Sequence, residues 1–309
     1  MAPTETETEK DPFAFEKVQM YTDEELRGMH RKNDGDEIQR PDIVDDLCRG
    51  LQLQARIDRI VHGHQGEGGS PATLIVFGFR FHGLDQERRF KQSIITISFQ
   101  DEKKRNHKFD PVVTALWPNG DFRLGEPTVI QVEEKKGKEV SGELTGGTVV
   151  QAGAKTALRW ERTHAFSKSD KSTLTGSIVL DTDVRSVGAN NAVRLTISEN
   201  HTTGSGIVTD FRVAVLLTRK KDDDIFLATV RMTAKGNFSY NFFRGIRDLS
   251  GFSPPNDPVR FKPGQQYLRP PTLGDVMEAK LAEKIEEDKL DAAKLDGLAG
   301  ILATTVLAI

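Results

Sequence analysis

The chain has 309 residues, of which 37% are apolar and 29% charged, with a net charge of −3. That length holds one large domain or two small ones and enough apolar material for a real core. A single cysteine, Cys48, excludes an intramolecular disulfide framework and a cysteine-cluster zinc or iron–sulfur site, as expected of a protein kept in a reduced, cytoplasmic compartment.

The charge is unevenly spread. Residues 1–50 hold 7 basic against 14 acidic side chains, and residues 273–309 hold 4 against 8. The stretch between them carries 32 against 24, so a basic body lies between two acidic arms. The basic residues are scattered, which fits arms that neutralise the body better than a nucleic-acid surface. Nucleic acid is therefore not expected as a partner. The N-terminus MAPTETETEKDPFAF lacks the apolar run of a secretory signal. No stretch reaches the roughly 18 apolar residues of a transmembrane helix.

Residues 1–48 are rich in Glu, Asp and Thr and thin in apolar residues, so they read as a largely disordered acidic arm. Thr22 and Glu25 have the spacing of a capping box and open a possible short helix through Leu26 and Met29. Residues 49–262 read as the folded domain. LQARIDRIV (53–61), TLIVFGFRF (73–81) and FKQSIITISF (90–99) alternate apolar and polar positions as half-buried strands do. HGHQGEGGSP (62–71), with four glycines, reads as a flexible loop. TVIQVE (128–133), LRWERTHAF (158–166), TLTGSIVLD (173–181) and NAVRLTIS (191–198) are further strands, and WPNG (117–120) is a turn. In GIVTDFRVAVLLTRK (206–220) every position from Val213 to Leu217 is apolar, which predicts a central strand covered on both faces. IFLATVRMTAKG (225–236) returns after a polar turn.

Nine or ten strands with short turns and almost no helix between them predict an antiparallel β-sandwich, with a closed β-barrel as the alternative. Residues 263–309 form the last region. A proline-rich wrap leads into LGDVMEAKLAEKIEEDKLDAAKLD (273–296), where Leu273, Met277, Leu281 and Ile285 recur at helical spacing and Thr272 suits an N-cap. GLAGILATTVLAI (297–309) closes the chain without a charged side chain.

Catalytic signatures are missing: there is no GxSxG, GxxxxGK[ST], HExxH or GxGxxG. The glycines of SGELTGGTVVQAGAK (141–155) suit turns better than a phosphate loop. His62 and His64 flank a glycine and read as exposed loop histidines rather than metal ligands. Asp181-Thr182-Asp183 and Asp222-Asp223-Asp224 lack the glycine and distal glutamate of a calcium loop and read as turn caps. Lys103, Lys104, Arg105 and Lys108, like Lys135, Lys136 and Lys138, read as solvated loops, because no aromatic side chain is interleaved to stack on bases. Trp160 reads as core. No catalytic residue, cofactor or metal is expected.

GIVTDFRVAVLLTRK, IFLATV and NDPVRFKP (256–263), with ALWPNGDF (115–122) and LTGSIVLD (174–181), resemble a group of proteins from filamentous fungi that has no assigned function. The likeness covers most of residues 50–309. It implies a β-rich body and carries over no residue roles.

The tail is the strongest functional lead. Leu298, Ile301, Leu302, Val306, Leu307 and Ile309 are the candidate interaction residues. Three fates compete: docking onto the chain's own body, self-association, or insertion into a membrane. Thirteen residues span only about 20 Å as a helix against a hydrocarbon core of about 30 Å, and the preceding segment is acidic, which disfavours the membrane. TTVLAI (304–309) has high β-propensity and no proline, which suits assembly. The sequence reads as a non-enzymatic interaction or scaffold protein that docks or self-associates through its tail. The alternative is a membrane-associated protein with its basic body facing lipid and the tail as anchor.

Overall fold

A computed structural model describes residues 31–84, 88–136, 162–236, 241, 255–267, 285–291 and 295. Among the described residues eleven strands run in chain order: β1 (Asp42–Cys48), β2 (Leu51–His64), β3 (Pro71–Gly83), β4 (Gln92–Asp101), β5 (Val112–Trp117), β6 (Gly120–Lys136), β7 (Arg162–Val179), β8 (Ala192–Ser198), β9 (Asp210–Thr218), β10 (Phe226–Lys235) and β11 (Val259–Phe261). They build a five-stranded sheet, β1-β2-β3-β9-β5, and a six-stranded sheet, β11-β10-β4-β8-β7-β6, every pairing antiparallel. Neither sheet closes on itself, so the architecture is the expected sandwich and not a barrel.

The alternation in sequence places the core. Phe77, Phe79 and Phe81 of β3 meet Phe211 of β9 and, across the sandwich, Phe99 of β4. Phe226 stacks on Phe261 at a centroid distance of 5.0 Å, which fixes β11 to β10. Each such side chain contributes about 1.5–3 kcal/mol on leaving water. β9 lies between β3 and β5 as its unbroken apolar run requires. Val213, Val215 and Leu217 enter the main core, while Ala214 and Leu216 face a second, smaller cluster on the sheet's outer side.

Several expectations need correction. The acidic arm does not extend to residue 48. β1 lies within it, and residues 31–40 are tied to the stretch 256–265 through Arg31 N to Asn256 Oδ1, Asn33 Nδ2 to Pro258 O and Gln39 N to Arg260 O. Its alternation, Ile43 and Val44 then Asp46 and Cys48 inward, was hidden by the acidic residues around it. The segments 158–166 and 173–181 are not separate strands, since β7 runs unbroken from Arg162 through Val179. His62 and His64 belong to the end of β2, whose ladder with β3 continues to His64↔Pro71, so the loop begins later than the glycines suggest.

A continuous C-terminal helix over 273–296 is also ruled out. Ile285 and Glu286 are not helical, Glu287–Lys289 is a single 3₁₀ turn, and Glu286 and Leu290 have extended or irregular backbone on either side of it. The Leu290 N–H bonds to His64 O at 2.8 Å instead of to the carbonyl four residues earlier. Tertiary packing overrides the helical spacing at this point. Residues 273–284, the helix expected after Thr22, the glycine run 141–155, Trp160 and the tail from Gly297 lie outside the described residues.

Candidate functional site

The outer face of the five-stranded sheet divides into two halves built by the same strands. At one end, Val61 of β2, Ala72, Leu74 and Val76 of β3, and Ala214 and Leu216 of β9 form an apolar floor. Trp117 and Ala115 of β5 border it. The C-terminal segment closes it: Leu290 and Leu295 are only 4% and 3% exposed, and Ile285 packs against the same cluster. Gly63 lets this segment approach, because a Cβ there would collide with the Glu287 carbonyl. The sequence thus delivers its last described residue, Leu295, onto the body three positions before Leu298.

At the other end the outward positions of these strands are charged. On β2, Asp58 follows Arg56 on this face, and a bulge between Ile57 and Arg59 re-phases the strand so that Val61 also faces outward. Asp58 is 1% exposed and takes Arg212 Nε on Oδ2 at 2.5 Å and Arg56 Nε on Oδ1 at 2.9 Å. Arg56 continues to Asp210 at 3.4 Å, and Arg80 reaches the other Asp210 oxygen through two nitrogens at 3.1 and 2.9 Å. Burial works against the charge on Arg56, yet Asp58 and Asp210 beside it raise its pKa above the ordinary value. Gly78 is required here, since a Cβ would stand 2.8 Å from Asp58 Oδ2. Beside them a hollow of about 500 Å³ is lined by Arg31, Arg56, Arg80, Asp42, Asp45 and Gln54, so its arginines outnumber its carboxylates by one.

A third feature lies at the edge of β2. β1 pairs with β2 only as far as Arg56, and beyond it a cavity of about 430 Å³ is lined by Asp58, Arg59, His62, Gln265, Tyr267 and Glu287. Tyr267 donates its hydroxyl to Ile57 O at 2.9 Å. His62 lies between Thr73 Oγ1, 2.9 Å from Nδ1, and Gln39 Oε1, 3.4 Å from Nε2. Burial, helped by the nearby Arg219, lowers its pKa to about 4, so the ring is neutral at physiological pH. A histidine on a threonine hydroxyl suggests an activated nucleophile. Thr73 is fully buried, however, so no substrate carbonyl reaches its oxygen, and the pair seals the end of the core.

Other charged motifs resolve into ion pairs. Arg105 joins Asp101 at 2.6 Å and Asp224 at 2.8 Å and stands over the Phe109 ring. His64 meets Asp222 at 3.0 Å, and Arg231 meets Asp181. The sequence had these residues as solvated loops and turn caps. Apart from the local Arg105–Asp101 pair, their partners lie far along the chain, so no local pattern could have paired them. The six candidate residues of the tail, Leu298, Ile301, Leu302, Val306, Leu307 and Ile309, lie outside the described residues. No helix among the described residues is long and apolar enough to cross a membrane.

No family model matches the chain, and no curated protein matches it. Among solved structures it matches the NetB toxin of Clostridium perfringens in the membrane-inserted form, at 9% identity over 59% of this chain and 84% of that one, with a TM-score of 0.22. At that score the likeness carries no argument about fold or function.

Proposed function

We propose that this chain is a non-enzymatic interaction protein in which the sandwich holds the C-terminal segment on its outer face and presents the residues after it for self-association. The observation that carries this reading is the burial of Leu290 and Leu295 in the second apolar cluster, with Leu290 bonded to His64 of β2. In this reading the anchor supports binding through Leu298, Ile301, Leu302, Val306, Leu307 and Ile309, because tethering a binding segment close to its body lowers the ordering cost of association. At the cavity on the edge of β2, His62 meets the hydroxyl of Thr73, which is fully buried and so out of reach of a substrate there.

Light scattering after size exclusion, on the full chain and on a 1–296 truncation that keeps both anchors, tests the reading. A full chain larger than the truncation supports self-association. Equal monomers of similar stability refute it. The same pair mixed with liposomes separates the membrane alternative, in which only the full chain floats with lipid.

A further inference from the structure

The six-stranded sheet ends in a hairpin far longer than the sheet that supports it. β6 has 17 residues and β7 has 18, while β8 has 7. β8 pairs with β7 only from Thr173 to Val179. β6 stays level with that supported part from Gly120 to Arg123, and its ladder is then interrupted between Leu124 and Thr128, where Pro127 stands. Beyond the interruption the ladder runs regularly for nine pairs, from Thr128↔Asp170 to Lys136↔Arg162. Neither strand of this outer part has a second neighbour among the described strands. It is a two-stranded ribbon about 27 Å long at the usual strand rise.

A bare two-stranded ribbon is marginal in water, because each strand leaves one row of backbone N–H and C=O groups without a strand partner. The two edges that no described strand pairs are unlike: one belongs to β6 and the other to β7. They are also complementary, since the ladder within the ribbon already shows these two nine-residue sequences pairing antiparallel without irregularity. A second copy that lays its β7 edge along the first copy's β6 edge repeats that same pairing. The charges allow it: TVIQVEEKK carries no net charge and RTHAFSKSD carries one positive charge with histidine neutral. A shift of two residues from the internal register improves the match. It sets Glu134 opposite Arg162 and Ile130 opposite Phe166, in place of the like-charged Lys136↔Arg162 pair that ends the internal ladder.

We infer that the outer β6–β7 ribbon is an assembly edge for further copies of this chain, joined β6 to β7. The contact is heterologous, so each copy added leaves one β6 and one β7 edge open until a ring closes. This surface is separate from the C-terminal segment and does not depend on its role.

Cysteine cross-linking tests the edge. Gln131→Cys lies on β6 and Ser167→Cys on β7; the native Cys48 is buried, and the parent chain treated alike is the control for it. Both variants are made in the full chain and in the 1–296 truncation, and checked by thermal melting against the parent. Val129→Cys with Ser169→Cys is the reserve pair should either fail to fold. A short bis-maleimide is added to each variant alone and to the two mixed. The inference expects a cross-linked dimer in the mixture and none in either variant alone, in both chain lengths. Dimers from Gln131→Cys alone would mean β6 against β6 and overturn the heterologous contact. No dimer in the mixture overturns the assembly edge altogether. Dimers in the full chain but not in the truncation assign the association to the tail and also overturn it.

Discussion

The two halves of the five-stranded sheet's outer face solve one problem in two ways. Both are made by β2, β3 and β9, and both present alternate residues away from the core. The apolar half, with Leu74, Val76, Ala214 and Leu216, is covered by a segment more than seventy positions later in the chain. The charged half, with Arg56, Asp58, Arg80, Asp210 and Arg212, is tied together by its own ion pairs. An apolar face needs another element to exclude water, and a charged face needs only its neighbours. The first half can therefore be opened without disturbing the sheet, and the second cannot.

Removing Asp58 should break the charged half most severely. Asp58→Ala leaves Arg212, 6% exposed, and Arg56 without the carboxylate between them. Breaking a buried pair on one side costs about 3–5 kcal/mol. The loss should appear as a lower denaturation midpoint for the whole sandwich. Changing Asp58 to Leu and Arg212 to Met together should recover most of it, because the cost is that of a stranded charge. A single variant as stable as the parent would mean that the cluster is decoration.

The apolar half should fail locally. Leu290→Ala is expected to cost about 2–3 kcal/mol, at the low end for a buried leucine because the cluster lies at the periphery. The loss should fall on the docking of the segment and not on global unfolding. Protease cleavage after Lys289 or Lys294 should accelerate while the denaturation midpoint of the body stays close to the parent's. A fall in that midpoint as large as that of Asp58→Ala would erase the distinction between the halves.

How much of this was legible depends on the range of the interactions. The alternation in 73–81 and the solid run from Val213 to Leu217 reveal β3, β9 and the sandwich, because period two is a local property of a strand. They also predict that Leu216 is covered, but not by what. Asp58 could not be picked out from LQARIDRIV, because the alternation sets it outward like Gln54 and Arg56, and nothing local says that it meets Arg212, 154 positions away. Leu290 was missed for a related reason. The helical stripe chosen from the sequence ran through Ile285 and bypassed it, while its actual setting is fixed by a bond to His64. The short β11 left no signal either, since three residues hold no period.

Acid offers a way to weaken β2 beside the apolar half without a mutation. His62 is neutral when folded, with a pKa near 4, and returns to its ordinary value near 6.5 on unfolding. The unfolded chain therefore binds more protons between these values. His62's contribution to stability is complete above about pH 6.5, declines as the pH falls towards 4, and is lost below it. Allowing for solvent in the adjacent cavity, the decline attributable to this residue is about 1–2 kcal/mol. Stability curves of the parent and of His62→Gln, which retains hydrogen-bonding capacity towards Thr73, should converge as the pH drops through this window. Parallel curves would show that His62 is not the titrating group.

The smallest effect should come from the rim of the charged half. Arg80 grips Asp210 with two nitrogens, which on geometry alone resembles the Arg212–Asp58 contact. Its side chain is 51% exposed, however, and that of Asp210 is 28% exposed. Water screens the attraction and takes over the hydrogen bonds when the arginine is removed, and Arg56 still serves Asp210 from the buried side. Arg80→Ala should therefore cost no more than about 0.5–1 kcal/mol, and salt should shrink the difference further. Denaturation of the two variants at low and high salt compares the inner and outer ends of one ladder. If burial and not contact geometry sets the worth of an ion pair, the Asp58 effect should persist in salt while the Arg80 effect fades.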